Sequence, residues 1–136
     1  MKRFLVVVAA LLVLVAGAVL GGAFFLANGV PLPIAFREWT VTSMSGFGGD
    51  NVVEGHFRFT GGDLKLDDGV NDVSLDIRWE DDGFTVVGRG TSTAAAPTGP
   101  HSRLAELAEV GDHVDVALRG SRLTLRNEGK TVVAER

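Results

Sequence analysis

The chain contains no cysteine. A disulfide framework, a thiolate metal site and a lipidated N-terminal cysteine are therefore all closed to it, and its stability has to come from packing. An excess of positive charge is also missing. The formal net charge is −4, and setting aside Lys2 and Arg3, which precede an apolar run, leaves −6 for the remainder. Nucleic acid is not an expected partner of such a chain. Motifs that carry chemistry are equally scarce. His56, His101 and His113 are scattered, show no two-histidine helical spacing of a zinc site, and are expected at the surface or flanking a helix. Ser43, Ser45 and Ser102 sit in no nucleophile elbow. The glycine-rich Gly46-Phe47-Gly48-Gly49-Asp50 does not join a strand to a helix in phosphate-cradling form. The expectation is a non-enzyme with no cofactor and no bound metal.

What the chain does have is a long apolar start. Residues 4–27 carry no charged or strongly polar side chain, enough to cross a hydrocarbon core about 30 Å thick. Lys2 and Arg3 in front of it place the N-terminus in the cytoplasm and the rest outside. Residues 1–29 thus read as a transmembrane anchor or, with Ala16-Gly17-Ala18 as a cleavage site, as a signal peptide. The outcomes are a single-pass membrane protein with an extracytoplasmic C-terminal domain, or a secreted one. Pro31 and Pro33 make residues 30–36 a short, stiff linker. One domain, 37–136, follows.

Strand periodicity dominates that domain. Val73, Leu75, Ile77 and Trp79 alternate with Ser74, Asp76, Arg78 and Glu80, the pattern of a strand with one buried and one wet face. The same period runs through Trp39–Ser43, Val53–Phe59, Leu64 and Leu66, and Phe84 and Val86. The Asp-Gly pair in Asp81-Asp82-Gly83 tolerates positive φ and predicts a tight hairpin. Val114–Leu118, Leu123–Leu125 and Thr131–Val133 predict a three-strand antiparallel meander. Leu104, Leu107 and Ala108 share a helical face, so a short helix is expected near 102–110. The fold class is mainly β (α+β), a twisted antiparallel sheet or partly open β-barrel of about 7–8 strands with that one helix.

The order of these features resembles the META/HslJ family of small bacterial envelope domains. Trp39 opens the first strand in Trp-Thr-Val-Thr-Ser, and Gly69-Val70-Asn71 matches the family's Gly-x-Asn turn ahead of a strand ending in Trp79. Ser92-Thr93-Ala94-Ala95-Ala96-Pro97 is similar to its Thr-x-x-x-Cys-Pro stretch, with Ser92 for threonine and Ala96 for cysteine. Leu104, Leu107, Val114–Leu118, Gly120, Leu123-Thr124-Leu125 and Gly129 complete the match. The resemblance implies a compact sheet with a helix, envelope attachment, and links to stress tolerance or secretion without an agreed catalytic activity.

Four carboxylates, Asp63, Asp67, Asp68 and Asp72, crowd the turn at Gly69 and Asn71. They invite a calcium reading, but Leu64 and Leu66 break the EF-hand spacing and turn chemistry accounts for them. Asn71 is expected to bond local backbone and to tolerate left-handed geometry. Phe47, inside the glycine-rich loop, is the candidate contact for a partner or lipid surface. Trp39 and Trp79 are candidate ligand contacts in an open barrel. The leading expectation is a non-catalytic, membrane-tethered domain that binds an envelope protein or peptide. The alternatives are a carrier or sensor of a lipid or other apolar ligand in the curled sheet, and a calcium-stabilised adhesion module.

Overall fold

The computed structural model describes residues 29–49, 51–91 and 99–136. The apolar run 4–27, Asp50 and the Ser92–Pro97 stretch lie outside the described residues, and with them the expected anchor and part of the family resemblance. Eight strands follow in order: β1 (Glu38–Ser45), β2 (His56–Thr60), β3 (Asp63–Asp67), β4 (Asp72–Glu80), β5 (Gly83–Thr91), β6 (His113–Arg119), β7 (Arg122–Asn127) and β8 (Lys130–Glu135). Each pairs antiparallel with its neighbours, and β1 pairs with β8, so the sheet closes into a barrel. The expectation of a partly open barrel is corrected here. The β1–β8 ladder runs from Thr40 opposite Glu135 to Ser45 opposite Thr131. Closure matters because it gives every strand a partner on both sides, although β5 meets β6 only over Gly83–Thr85.

The alternation seen in sequence becomes an inside and an outside. Val73, Leu75 and Ile77 on β4, Leu64 and Leu66 on β3, and Leu123 and Leu125 on β7 are buried, while their neighbours face outward. An eight-stranded barrel is just wide enough for side chains to fill. Here Trp39, Phe57, Phe59 and Phe84 do so, each at most 2% exposed. Phe59 stands edge-on to Phe57 at 6.0 Å, to Trp79 at 5.9 Å and to Phe84 at 5.6 Å, the arrangement that aromatic quadrupoles favour.

The Asp81-Asp82 hairpin forms as expected between Glu80 and Gly83, but for another reason. Neither aspartate has positive φ, and Gly83 is not left-handed. Glycine is needed because a Cβ at position 83 would run into the carbonyl of Val114 on the adjoining β6. Further along β5 the register against β4 slips by one residue, with Asp76 opposite Gly88 and Ile77 opposite Val86. Val87 is the extra residue of this bulge, which turns it outward beside the buried Val86.

The expected helix is reduced to a single 3₁₀ turn, Leu104–Glu106. Its apolar face is real: Leu104, Leu107 and Ala108 are fully buried and close the barrel mouth at which β2 begins. Helical hydrogen bonding fails because side chains from the barrel take the carbonyls that a helix would use. Arg89 on β5 donates to the carbonyls of Ala105 and Ala108, Asn127 on β7 to Leu107, and Lys130 on β8 to Glu106. The N–H of Glu109, which would return to Ala105 in an α-helix, instead donates to Asp112 Oδ2 at 2.9 Å.

The opposite mouth is closed by residues 30–36. Val30, Ile34 and Ala35 are buried, the Ile34 carbonyl accepts from Trp39 Nε1 at 3.1 Å, and Phe36 N–H donates to the Phe59 carbonyl at 2.7 Å. Far from standing free as a spacer, this segment packs into the barrel. Phe36 adopts φ 61°, a left-handed conformation uncommon for an aromatic residue, and its side chain is 52% exposed.

Candidate functional site

Most residues singled out from sequence turn out to be structural. Trp39 is fully buried, its indole spent on the Ile34 carbonyl and its ring beneath the Arg136 guanidinium at 5.6 Å. Phe47 is only 6% exposed. The reading of Phe47 as a partner contact is corrected: its loop folds inward because Gly46, at φ 81°, lies against the Gly129 carbonyl. Arg103 Nη1 also donates to the Phe47 carbonyl at 2.7 Å. Lys130 Nζ stands 5.8 Å from the Phe47 ring centre, a cation–π contact at the rim of the mouth. Trp79 alone of the three keeps partial exposure, against Phe59 and Phe84.

The turn before β4 is built by carboxylates. Asp68 is 4% exposed, and its Oδ1 accepts from the N–H groups of Val70 at 2.8 Å and Asn71 at 2.6 Å. Asp67 Oδ1 accepts from Gly69 N–H at 2.8 Å. Gly69 supplies the left-handed residue at φ 89°. Asn71 does not: among the described residues the non-glycine positive-φ positions are Phe36 and Glu128. One oxygen of each carboxylate that a calcium reading would use, Oδ1 of Asp67 and of Asp68, is thus engaged with backbone amides. Ser102, 1% exposed, donates to the Glu54 carbonyl at 2.6 Å and accepts from Leu104 N–H at 3.3 Å, a tie between the plug and the wall.

Two features of the outer surface, among the described residues, bear on function. The first is a groove of about 640 Å³ across β1 to β4. Its sides carry both charges: Glu38 pairs with Arg58 at 3.5 Å and His56 with Asp67 at 3.1 Å, with Lys65 and Ser74 between them. Asp63 at its end stands opposite Asp76 in the β3–β4 ladder. Burial first, then the hydrogen bond and charge of Asp76, push the Asp63 carboxyl above its ordinary value, with Lys65 pulling the other way.

The second feature surrounds His113, one of the three scattered histidines. The β5–β6 register sets Thr85 opposite His113 and Gly83 opposite Asp115, which draws the 81–82 hairpin alongside. His113 Nε2 is 3.0 Å from Asp82 Oδ1 and 3.4 Å from Asp115 Oδ1. On the other side of the ring, Nδ1 is 3.3 Å from both Glu80 Oε2 and Thr85 Oγ1. The spacing of His113 and Asp115 puts both on one strand face and was legible in sequence. Asp82 and Glu80 join them through sheet register across 31 or more residues, which no local pattern signals.

No family model, curated protein or solved structure matches the chain.

Proposed function

We propose that this chain is a non-catalytic, membrane-tethered extracytoplasmic barrel that binds a segment of an envelope protein or peptide across the outer face of β1 to β4. The observation that carries this reading is the contrast between inside and outside. The interior is occupied by Trp39, Phe57, Phe59 and Phe84, whereas the outer wall offers a concave groove lined by charges of both signs. Such a surface suits a polar chain segment of mixed charge, with complementarity supplying register and specificity. The filled interior weighs against carriage of a lipid or apolar molecule inside the barrel. A role in envelope stress or secretion follows from the META/HslJ resemblance.

The tether is supported by the sequence of residues 4–27 and by what surrounds its point of arrival. Leu32 and Phe36, 53% and 52% exposed, lie in the segment that closes the adjoining mouth, with Arg37 and Arg136 exposed nearby. Apolar tips ringed by arginine fit the headgroup layer of a bilayer.

The test is site-specific photocrosslinking of the full chain in its native membrane. A crosslinker at Lys65, in the groove, should yield a discrete adduct that disappears when Arg58 and Glu38 are reversed in charge. The same group at Arg122, on the opposite wall, should not. Equal labelling from both positions, indifferent to the charge reversal, would overturn the proposal.

A further inference from the structure

Around His113 three side-chain atoms able to ligate a cation converge within 4.8 Å of one another, one each from His113, Asp82 and Asp115. We propose that His113, Asp82 and Asp115 bind one divalent transition metal of the zinc class, with Glu80 as the carboxylate that orients the histidine.

The first argument is proton accounting at the imidazole. Thr85 Oγ1 donates its hydrogen to Glu80 Oε1 at 3.0 Å, so at 3.3 Å from His113 Nδ1 its oxygen serves as an acceptor. Glu80 Oε2, also 3.3 Å from Nδ1, is a second acceptor. A proton on Nδ1 of the neutral ring satisfies both acceptors, and this is the tautomer that a metal at Nε2 requires. In it Nε2 turns its lone pair toward two carboxylate oxygens at 3.0 and 3.4 Å. Three lone pairs converge there, and only a positive charge reconciles them: an added proton on Nε2, or a metal ion in its place. Metal-ligating histidines characteristically donate their other N–H to a carboxylate, which fixes the tautomer and strengthens the ligand. Glu80 stands in that position, itself held by Thr85 and by Arg78 Nη2 at 3.4 Å.

The second argument is spacing. Zinc binds nitrogen and carboxylate oxygen at about 2.0–2.2 Å, so ligand atoms at tetrahedral corners lie about 3.3–3.5 Å apart. Of the two separations from Nε2, 3.4 Å falls within that range and 3.0 Å just short of it, and all three ligand atoms lie within 4.8 Å of one another. A nitrogen donor with two carboxylates favours zinc or a neighbouring transition ion over calcium or magnesium, which take oxygen ligands. The third argument is access. Asp82 and Asp115 also line a depression of about 340 Å³ with Thr124 and Arg126, where water or an anionic group can reach an open coordination position.

The ligands come from a hairpin and a strand of a closed barrel, so their placement does not depend on a mobile loop. The site lies apart from the groove on β1 to β4, and its failure would leave that reading standing.

The experiment uses the full chain in detergent micelles, stripped with a chelator and titrated with zinc against a chromophoric competitor, with cobalt(II) as a spectroscopic reporter. One equivalent should bind, and the cobalt complex should show the intense visible absorption of a low-coordinate site. His113→Gln and Asp115→Asn should each weaken zinc at least tenfold and abolish the cobalt signature. Glu80→Gln should weaken it about tenfold, as expected for an orienting carboxylate. His101→Gln, at a histidine outside the cluster, should leave zinc binding unchanged. Circular dichroism and melting of the stripped variants show whether each is folded. Absence of stoichiometric binding by the wild type, binding unaffected by both His113→Gln and Asp115→Asn, or preference for calcium over zinc would each overturn the assignment.

Discussion

Asn127 at the end of β7 donates from Nδ2 to the carbonyl of Leu107, 2.8 Å away, and so fastens the plug of one barrel mouth to the wall. The same amide reaches Asp112 Oδ2 at 2.9 Å. Asn127 is 7% exposed, so little water is at hand to replace it. Asn127→Ala leaves the Leu107 carbonyl buried without this partner, at a cost of about 1–3 kcal/mol. Urea unfolding should show a lower midpoint with an unchanged slope. An unchanged midpoint would mean that the plug is held without Asn127, by its apolar contacts and the ties from Arg89, Lys130 and Ser102.

Asp112 gives this junction a pH dependence. Its carboxyl is held below the ordinary value of 3.8, first by the Glu109 N–H, then by the Asn127 amide, with Lys130 adding a smaller attraction and burial opposing. A depressed folded-state value stabilises the fold above the unfolded value, and that contribution is lost as pH falls through the folded one. Asp112→Asn should therefore be less stable than wild type at neutral pH and approach it in strong acid. Melting curves from pH 7 down to about pH 2 report this convergence.

Asp63 has the opposite sign. Its raised carboxyl means that the folded state holds the proton more tightly, so ionised Asp63 penalises the fold at neutral pH and the penalty is relieved on acidification. Asp63→Asn should stabilise at pH 7 by about 0.2–1 kcal/mol, the usual size of a cross-strand charge repulsion. The gain should vanish well below pH 4, and a destabilised variant at pH 7 would contradict the role given to Asp76.

Gly83→Ala tests close packing rather than turn geometry. The added methyl meets the Val114 carbonyl and should push β5 from β6, costing about 1–3 kcal/mol. Gly61→Ala, where a Cβ meets nothing within 4 Å, is the control and should be close to neutral. Because Gly83 lies opposite Asp115, the same variant should also loosen zinc binding.

The eight strands were legible because alternation is a property of one segment, readable before any partner is known. Val73, Leu75 and Ile77 face inward as their period demands. The helix at 102–110 was half legible. Burial of Leu104, Leu107 and Ala108 could be read from spacing, but not the capture of the Ala105, Glu106, Leu107 and Ala108 carbonyls by Arg89, Lys130 and Asn127. Phe47 misled because glycines on both sides suggest a free loop, whereas the positive φ at Gly46 and the reach of Arg103 turn the ring into the barrel.

By itself, then, the sequence determined which segments are strands, which faces are apolar, and that an apolar run with a basic flank precedes the domain. Each follows from side-chain order along a single stretch of chain. Tertiary structure alone decided that the sheet closes, that two irregular segments stop its ends, and that His113 meets Glu80, Asp82 and Asp115. Those outcomes depend on register between strands, where a shift of one residue would send every side chain to the other face and leave the histidine among different neighbours.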